Sequence, residues 1–168
     1  KATNITLNYT PRDAIGIQNC TLYYDGVRNT TEIMIQKNQP NYFPLGNQPQ
    51  GEHNWTVQCI DLAPDYNPYT PPEEFFIIDL SGPNITLLLP NEGDYLSANV
   101  LFNWTAVDYN NTYINCSLFI DSIFNKSLSQ ISGTNFNTTV FNLSDGPHTW
   151  RVNCTDDIGN WNVSETRN

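Results

Sequence analysis

Residues Gly146–Asp156 read GPHTWRVNCTD, and residues Gly51–Asp61, 95 positions earlier, read GEHNWTVQCID. Glycine, histidine, tryptophan, valine, cysteine and aspartate match in register, so the chain contains a tandem repeat. Because successive side chains of a β-strand point to opposite faces, Trp150, Val152 and Cys154 share one face and the residues between them face outward. The repeat therefore predicts the same strand twice, once in each of two modules.

Length and composition fit two small modules. The chain has 168 residues, a net charge of −10 and 12% aromatic residues, and two thin cores of this size are within the usual range of domains. The repeat divides the chain into modules 1–82 and 83–168, with Ser81–Pro83 as a short linker. The acidic balance argues against nucleic acid or an anionic membrane as partner.

Targeting signals are not evident in the sequence. No apolar run is long enough to span a bilayer, and no signal-peptide pattern precedes the first repeat. Because the sequence starts at Lys1 without a methionine, we expect a mature or excised fragment.

Four cysteines occupy matching places in the repeats, Cys20 and Cys59 in the first and Cys116 and Cys154 in the second. Four cysteines allow three pairings, and one bridge per repeat is favoured because each repeat must close on itself. Such a bridge would stabilise its module by about 4 kcal/mol in the loop-entropy model. Disulfides persist in oxidising compartments, so we expect an extracytoplasmic protein; buried free thiols in a reducing cell are the alternative.

The asparagine residues give a second indication that the protein is extracytoplasmic. The 24 Asn and 26 Ser plus Thr residues would give only about four N-x-S/T glycosylation sequons by chance. The chain has fourteen, which begin at Asn4, Asn8, Asn19, Asn29, Asn54, Asn84, Asn103, Asn110, Asn115, Asn125, Asn137, Asn142, Asn153 and Asn162. Alternation of polar residues with Thr in strands explains part of this excess, but Asn itself is a poor strand former.

The position of these sequons within the strands indicates where glycans would lie. In Phe102–Trp104, the two aromatic residues alternate inward and leave Asn103 outward. The same parity holds for Asn8, Asn54 and Asn153, and Asn19 and Asn115 each precede an inward cysteine. We therefore expect N-linked glycans on the outer sheet faces as well as on the loops.

The rest of the chain reads as short strands separated by turns. Thr3–Thr10 matches Ala98–Thr105, and Asn19–Asp25 matches Asn115–Asp121. No stretch has the period of an amphipathic helix. Short strands with turn signals every 8 to 12 residues indicate β-sandwiches.

This pattern resembles fibronectin type III and related immunoglobulin-like modules. Trp104, or Tyr9 in the first copy, resembles their second-strand core aromatic, and Leu143–Val152 resembles the segment that leads into their sixth strand. The resemblance implies an all-β fold of two tandem immunoglobulin-like (fibronectin type III-like) β-sandwiches, each with one intradomain disulfide. Antibody domains place the bridge between strands two and six, whereas here the cysteines fall on strands three and six of one sheet. The repeated set also resembles tandem repeats of prokaryotic, and especially archaeal, surface glycoproteins.

The two copies of the repeat do not contain the same set of strands. The first lacks a counterpart of Ile85–Leu89, its first strand, and the second lacks a counterpart of Phe75–Ile78, its last strand. Unpaired sheet edges attract other strands. Two interpretations remain open: the fragment belongs to a longer array, or chains complete one another by strand donation, which predicts head-to-tail contacts and open filaments.

Catalytic motifs are not evident, and we expect no enzyme. His53 and His148 occupy equivalent inward positions in different copies, which favours a structural role. No G-x-S-x-G, H-E-x-x-H or glycine-rich phosphate loop occurs. The neighbouring carboxylates Glu73–Glu74 and Asp156–Asp157 would point in opposite directions on a strand, so neither forms an acid–base couple.

Loop aspartates raise the alternative of a calcium site. They lie after the second and sixth strands of each copy: Asp13, Asp61, Asp65, Asp108, Asp156 and Asp157. Converging oxygen ligands can hold Ca²⁺, but aspartate more commonly caps turns. We favour turn caps, and expect no metal and no cofactor other than N-linked glycans.

Taken together, these features predict an extracellular structural or adhesive module of a surface protein or filament. Its partners would be copies of itself arranged head-to-tail, with other surface proteins or glycans as further candidates. The competing function is a carbohydrate- or protein-binding accessory domain of a secreted protein. Exposed aromatic residues would support that alternative, and the candidates are Tyr23, Tyr66, Tyr69 and Trp161.

Overall fold

The computed structural model describes residues 3–62, 66–94, 96–109 and 113–168, and the regular structure within these ranges is entirely β. The chain divides into two compact units, unit 1 up to Leu80 and unit 2 from Ser81 onward. This division falls two residues before the boundary drawn from the sequence. The described residues contain no helix that could cross a membrane.

Unit 1 consists of two sheets. Its strands in the described ranges are β1 (Thr3–Tyr9), β2 (Ile17–Tyr24), β3 (Val27–Glu32), β4 (Asn41–Gln48), β5 (Gly51–Asp61), β6 (Pro68–Tyr69) and β7 (Glu74–Ile78). Strands β1 and β4 form a two-stranded antiparallel sheet. The other sheet has the order β3-β2-β5, and β6 and β7 pair with successive parts of β5 along its outer edge.

Unit 2 repeats this plan with one more strand in its first sheet. Its described strands are β8 (Asn84–Leu89), β9 (Val100–Val107), β10 (Tyr113–Ile120), β11 (Ile123–Ile131), β12 (Asn135–Val140), β13 (Trp150–Thr155) and β14 (Trp161–Val163). The two sheets have the orders β12-β9-β8 and β11-β10-β13-β14. This is the strand order of an immunoglobulin-like sandwich, so the predicted all-β fold class is confirmed.

Strand alternation accounts for the core of unit 2. Trp150, Val152 and Cys154 of β13 are all buried, and the residues between them are partly exposed. Trp104 of β9 is fully buried and stacks on Phe136 of β12 with ring centroids 5.5 Å apart. Burying large apolar side chains between two sheets is the main stabilising contribution to a sandwich of this size.

The core of unit 1 follows the same rule with smaller residues. Leu7, Leu22, Phe43 and Val57 are buried between the sheets. Tyr9 takes the place of Trp104 and stacks on Phe43 at 5.0 Å, but Tyr9 is only half-buried.

Each unit contains its own disulfide. Cys20 bonds to Cys59, and Cys116 bonds to Cys154. In both pairs the cysteines lie directly opposite each other on neighbouring strands, β2 with β5 and β10 with β13. The predicted pairing of one bridge per repeat is therefore confirmed.

In unit 1 a tight turn joins β2 to β3. Strand β3 begins at Val27. Asp25 and Gly26 both have positive φ, 49° and 71°, which is typical of a tight two-residue hairpin turn. Strand β3 therefore starts immediately after the turn and pairs with β2.

Candidate functional site

The predicted glycosylation sites lie on the surface of both units. None of the thirteen sequon asparagines in the described residues is buried, and nine are exposed: Asn4, Asn8, Asn29, Asn84, Asn115, Asn125, Asn137, Asn142 and Asn162. The remaining predicted site, Asn110, lies outside the described residues. The side chains available for modification are thus distributed over loops, edges and outer sheet faces.

Four sequon asparagines are half-buried because they occupy inner strands of the sheets: Asn19, Asn54, Asn103 and Asn153. The Oδ1 atoms of Asn103 and Asn153 are shielded from solvent and have no hydrogen-bond partner among the described residues. Asn103 lies directly opposite Asn137, which also begins a sequon. Two glycans at this pair would start from adjacent positions on one outer face.

A repeated aspartate–histidine contact joins the hairpin turn to the strand that carries the histidine. In unit 2, Nδ1 of His148 lies 2.6 Å from Asp121 Oδ2, and Nε2 lies 2.9 Å from the main-chain oxygen of Ser144. The second oxygen of Asp121 accepts the main-chain N–H of Thr149 at 2.8 Å. One carboxylate therefore holds both the imidazole and the backbone next to it.

Unit 1 has the same contact. Nδ1 of His53 lies 2.9 Å from Asp25 Oδ2, and Nε2 lies 3.2 Å from the main-chain oxygen of Pro49. Asp25 Oδ1 accepts the main-chain N–H of Asn54 at 3.0 Å. The prediction of a structural histidine in each copy agrees with this geometry.

The chemistry of this contact depends on protonation. Both nitrogens of the His148 ring face an acceptor, and an imidazole can donate from both nitrogens only as the cation. Hydrogen bonding to the Ser144 carbonyl and to Asp121 raises the pKa of His148 above its ordinary value. The N–H of Thr149 and the His148 ring lower the pKa of Asp121. The arrangement supports an ion pair between His148 and Asp121, and the hydroxyl of Ser144 lies 3.4 Å from Nε2 of His148.

The aspartate partners were missed by the sequence analysis, although a signal was present. Asp25 and Asp121 were matched between the repeats as turn residues, and His53 and His148 were matched separately as core residues. The matching recurrence of an aspartate and a histidine in both copies could have suggested that they touch. The contact was not apparent from the sequence, because 27 positions separate Asp121 from His148.

Three of the six loop aspartates considered as calcium ligands accept hydrogen bonds from their own loops. Asp13 Oδ1 accepts the N–H groups of Ile15 and Gly16, which lowers the pKa of Asp13. Asp156 accepts the N–H groups of Ile158 and Asn160, and Asp61 accepts that of Asn67. Asp157 is exposed, and Asp65 lies outside the described residues. Asp108 and Asp156 of unit 2 bring carboxylate oxygens within 4.8 Å of each other, so the choice between turn caps and a calcium site stays a prediction.

The aromatic residues considered for ligand binding differ in accessibility. Tyr66, Tyr69 and Trp161 are exposed, whereas Tyr23 is half-buried. Tyr66 and Trp161 are 95 residues apart, but by strand pairing Trp161 corresponds to Pro68, because Trp161 pairs with Thr155 as Pro68 pairs with Ile60. Trp161 begins β14 and pairs with Thr155, so its ring lies at the edge of the second sheet.

Comparison with known proteins gives fold-level similarity. Solved Clostridium thermocellum CbhA fibronectin(III)-like modules align with a TM-score of 0.48 and 12% identity, covering 98% of this chain and 83% of theirs. The central fibronectin-III array of RIM-binding protein aligns with a TM-score of 0.34 and 12% identity, covering 98% of this chain and 56% of that one. No protein-family model and no curated protein matches the sequence. The assignment of fold rests on the strand order and disulfides described above.

Proposed function

We propose that this chain is a structural and adhesive repeat module of an extracellular, heavily N-glycosylated surface protein or filament. The observation that carries the proposal is the surface distribution of the sequons, of which none is buried among the thirteen described. The resemblance of the repeats to archaeal surface glycoproteins suggests a prokaryotic source.

The rest of the molecule suits that role. Each unit is closed by a disulfide at the centre of its second sheet, as expected for small domains in an oxidising environment. A glycan coat would shield outer sheet faces and edge strands, which are otherwise sites of aggregation and proteolysis. Structural durability, without catalysis, is the function that these features serve.

Mass spectrometry of natively produced protein tests the glycan coat. We expect the intact mass to fall in steps on deglycosylation, and peptide mapping to place glycans first on exposed strand and loop sites such as Asn115 and Asn125. Asn38 and Asn91 provide internal controls, because both are exposed but neither begins a sequon. An unmodified intact mass would end the proposal.

Assembly of modules end to end is the second part of the proposal. In the described ranges every strand already has a pairing partner, and the outer edge of β1 carries none at the place where β8 covers β9 in unit 2. Such an edge can accept a strand from a neighbouring module or a second copy, head-to-tail. Electron micrographs of the native material should show ordered filaments or long arrays; dispersed single particles at all concentrations would contradict assembly.

Carbohydrate or protein binding is the alternative function, and the exposed aromatic residues Tyr66 and Trp161 favour it. Tyr66 is 58% exposed and Trp161 is 63% exposed, and aromatic faces are common platforms for ligands. If this function holds, a deglycosylated chain should bind on a sugar array, and Trp161→Ala should remove binding that Phe141→Ala, at an exposed aromatic of the other sheet, leaves intact.

A further inference from the structure

The outer face of the two-stranded sheet of unit 1 combines an exposed aromatic residue with a glycosylation sequon. Asn8 of β1 and Tyr42 of β4 lie directly opposite each other. Both side chains are exposed, Tyr42 to 52%. Their neighbours Leu7 and Phe43 are buried, so by alternation Asn8 and Tyr42 both point outward. The two side chains therefore share one solvent-facing surface.

The spacing of these two positions suits a contact through a sugar. In an antiparallel pair, the Cβ atoms of directly opposite residues are about 4.5–5.5 Å apart. Side chains of a strand stand roughly perpendicular to the sheet, and an N-linked glycan begins at the amide nitrogen at the end of the asparagine side chain. The first sugar ring on Asn8 would therefore start beside the ring of Tyr42.

A pyranose ring and a phenol ring are chemically matched for stacking. One face of the sugar presents mainly C–H groups, which carry a small positive charge, whereas the face of an aromatic ring is negative. Stacking also removes apolar surface of both rings from water. The hydroxyl groups of the sugar and of Tyr42 can stay in water at the edges of the contact.

Strand β4 presents apolar side chains next to the sequons of β1. Pro44 follows Tyr42 on the same face, is exposed, and lies opposite Thr6. The outward residues of β1 include Asn4, Thr6 and Asn8, and sequons begin at the first and the last of these. Glycans would thus start from one strand of this sheet, and the apolar surface within their reach lies on the other.

At the equivalent sequon of unit 2, the residues opposite are not aromatic. Asn103 takes the place of Asn8, 95 residues later. It lies opposite Asn137 on one side and Leu89 on the other, and it is half-buried. The aromatic residue therefore accompanies the exposed copy of this sequon and is missing beside the half-buried copy.

Another sequon of unit 1 has an aromatic residue opposite but is less accessible. Asn54 of β5 pairs with the exposed Phe75 of β7. Asn54 is half-buried, and the third residue of its sequon, Thr56, is buried with its hydroxyl donating to a main-chain oxygen at 2.8 Å. Thr10, the third residue of the Asn8 sequon, is exposed. An accessible asparagine and an aromatic platform thus coincide at Asn8.

We propose that Tyr42 is the platform for the N-linked glycan of Asn8, with the first sugar ring stacked on the phenol ring. The glycan then becomes part of the packing of unit 1, because it covers an exposed aromatic side chain and connects the outer faces of β1 and β4. This contact rests on the glycan coat of the proposed function and gives one site of that coat a specific structural role.

A double-substitution cycle in the natively produced full chain tests the contact. Thr10→Ala removes the sequon and its glycan but keeps Asn8. Tyr42→Ala should lower the melting temperature of unit 1 by about 3–6 °C more in the glycosylated chain than in the Thr10→Ala background. Hydrogen exchange assigns the unfolding transition to unit 1, and mass spectrometry of peptides measures the occupancy of Asn8.

Tyr69 provides the matched control, because it is exposed in the same unit but lies opposite Cys59. Tyr69→Ala should change the melting temperature equally with and without the glycan of Asn8. Chemical nitration gives a second measurement that does not depend on stability. Tyr42 should react with tetranitromethane more slowly in the glycosylated chain than in the Thr10→Ala chain, and Tyr69 should react equally in both.

The outcomes separate this contact from the proposed function. If Asn8 is occupied but Tyr42→Ala has the same effect in both backgrounds, the contact is overturned and the glycan coat stands. Slower nitration without the difference in melting temperature, or the reverse, would also overturn the stacked contact, as would glycans at other sequons with Asn8 unmodified. An intact mass without any glycan would end the proposed function itself.

Discussion

The two units carry the same repeat but are completed at different places. Unit 1 has β7 along the edge of β5, which covers His53 and closes one end of the sandwich. Unit 2 has β8 beside β9, which adds a third strand to the other sheet. The aspartate–histidine contact exists in both, so it belongs to the repeat itself and does not depend on which edge strand is present.

The added strands determine how deeply the shared residues are buried. Leu87 of β8 lies opposite Trp104, and both are almost completely buried, whereas Tyr9, without such a neighbour, is half-buried. Arg167 further ties the end of the chain to β8, donating to the Leu87 carbonyl at 2.9 Å. An edge strand therefore adds burial to a framework that the central strands already define.

The largest effect is expected from the disulfides, and it should be equal in the two units. Replacing Cys116 and Cys154 by alanine removes a bridge with a sequence separation of 38, and replacing Cys20 and Cys59 removes one of 39. Each pair of substitutions should lower the free energy of unfolding of its own unit by about 4 kcal/mol. Denaturant-dependent hydrogen exchange of the full chain reports each unit separately.

The two disulfide removals should lower the free energy of unfolding of their units by the same amount. The loop lengths differ by one residue, so the entropic contribution is the same. A markedly larger loss in unit 2 would mean that β7, which pairs with β5 in unit 1, makes unit 1 less dependent on its disulfide. The central strands alone would then not define the stability of each unit.

A smaller effect is expected from uncovering His53. Phe76→Ala should lower the free energy of unfolding of unit 1 by about 2–3 kcal/mol, since a mostly buried aromatic is lost and a cavity remains. Phe75→Ala is the matched control, because Phe75 is 73% exposed on the opposite side of the same strand, and it should change stability by less than about 0.5 kcal/mol. Thermal unfolding with hydrogen exchange at His53 measures both.

If β7 only adds burial to a framework that the central strands define, Phe76→Ala should also make unit 1 resemble unit 2. The amides of Gly51 and His53 should exchange faster while the contact between His53 and Asp25 persists. Loss of that contact in the variant would show that the last strand creates the histidine contact instead of covering it.

The central strands could be predicted from sequence because their signal repeats. The alternation of Trp150, Val152 and Cys154, matched 95 residues earlier, identified an inward face, a partner cysteine and two modules together. Each of these depends only on the period of a strand and on the equivalence of two copies. The disulfide pairing followed because closure of each copy leaves one choice.

The short edge strands could not be predicted in the same way. Strands β6 and β14 have only two and three residues, and no alternation can be recognised over that length. They form because the outer edge of β5 or β13 offers unpaired main-chain groups, which is a property of the assembled sheet. The partial burial of Asn103 between β8 and β12 likewise depends on neighbours that its own strand does not specify.

The smallest effect concerns the pH dependence of the contact between His148 and Asp121 in unit 2. The pKa of His148 is raised by the Ser144 carbonyl and by Asp121, so the contact contributes its full stability below the ordinary histidine pKa and loses it as pH rises through the folded-state value. The pKa of Asp121 is lowered, first by the N–H of Thr149 and then by His148, so its contribution is lost as pH falls through that value. Unit 2 should therefore gain most from this contact between about pH 4 and pH 6.5.

His148→Gln should remove the loss of stability that unit 2 shows as pH rises above about 6.5, at a cost below about 1 kcal/mol at pH 6, because Asp121 is 45% exposed and such pairs are screened by solvent. Ser144→Ala is the matched control: it removes the hydroxyl 3.4 Å from Nε2 but keeps the carbonyl at 2.9 Å, so its pH profile should follow the native one. The test is to measure the melting temperatures of the full chain from pH 4 to pH 9. Hydrogen exchange assigns each unfolding transition to a unit. A native profile that stays flat across this range would show that the His148 ring is not held as a cation, and the contact would then be a packing feature of the repeat and no ion pair.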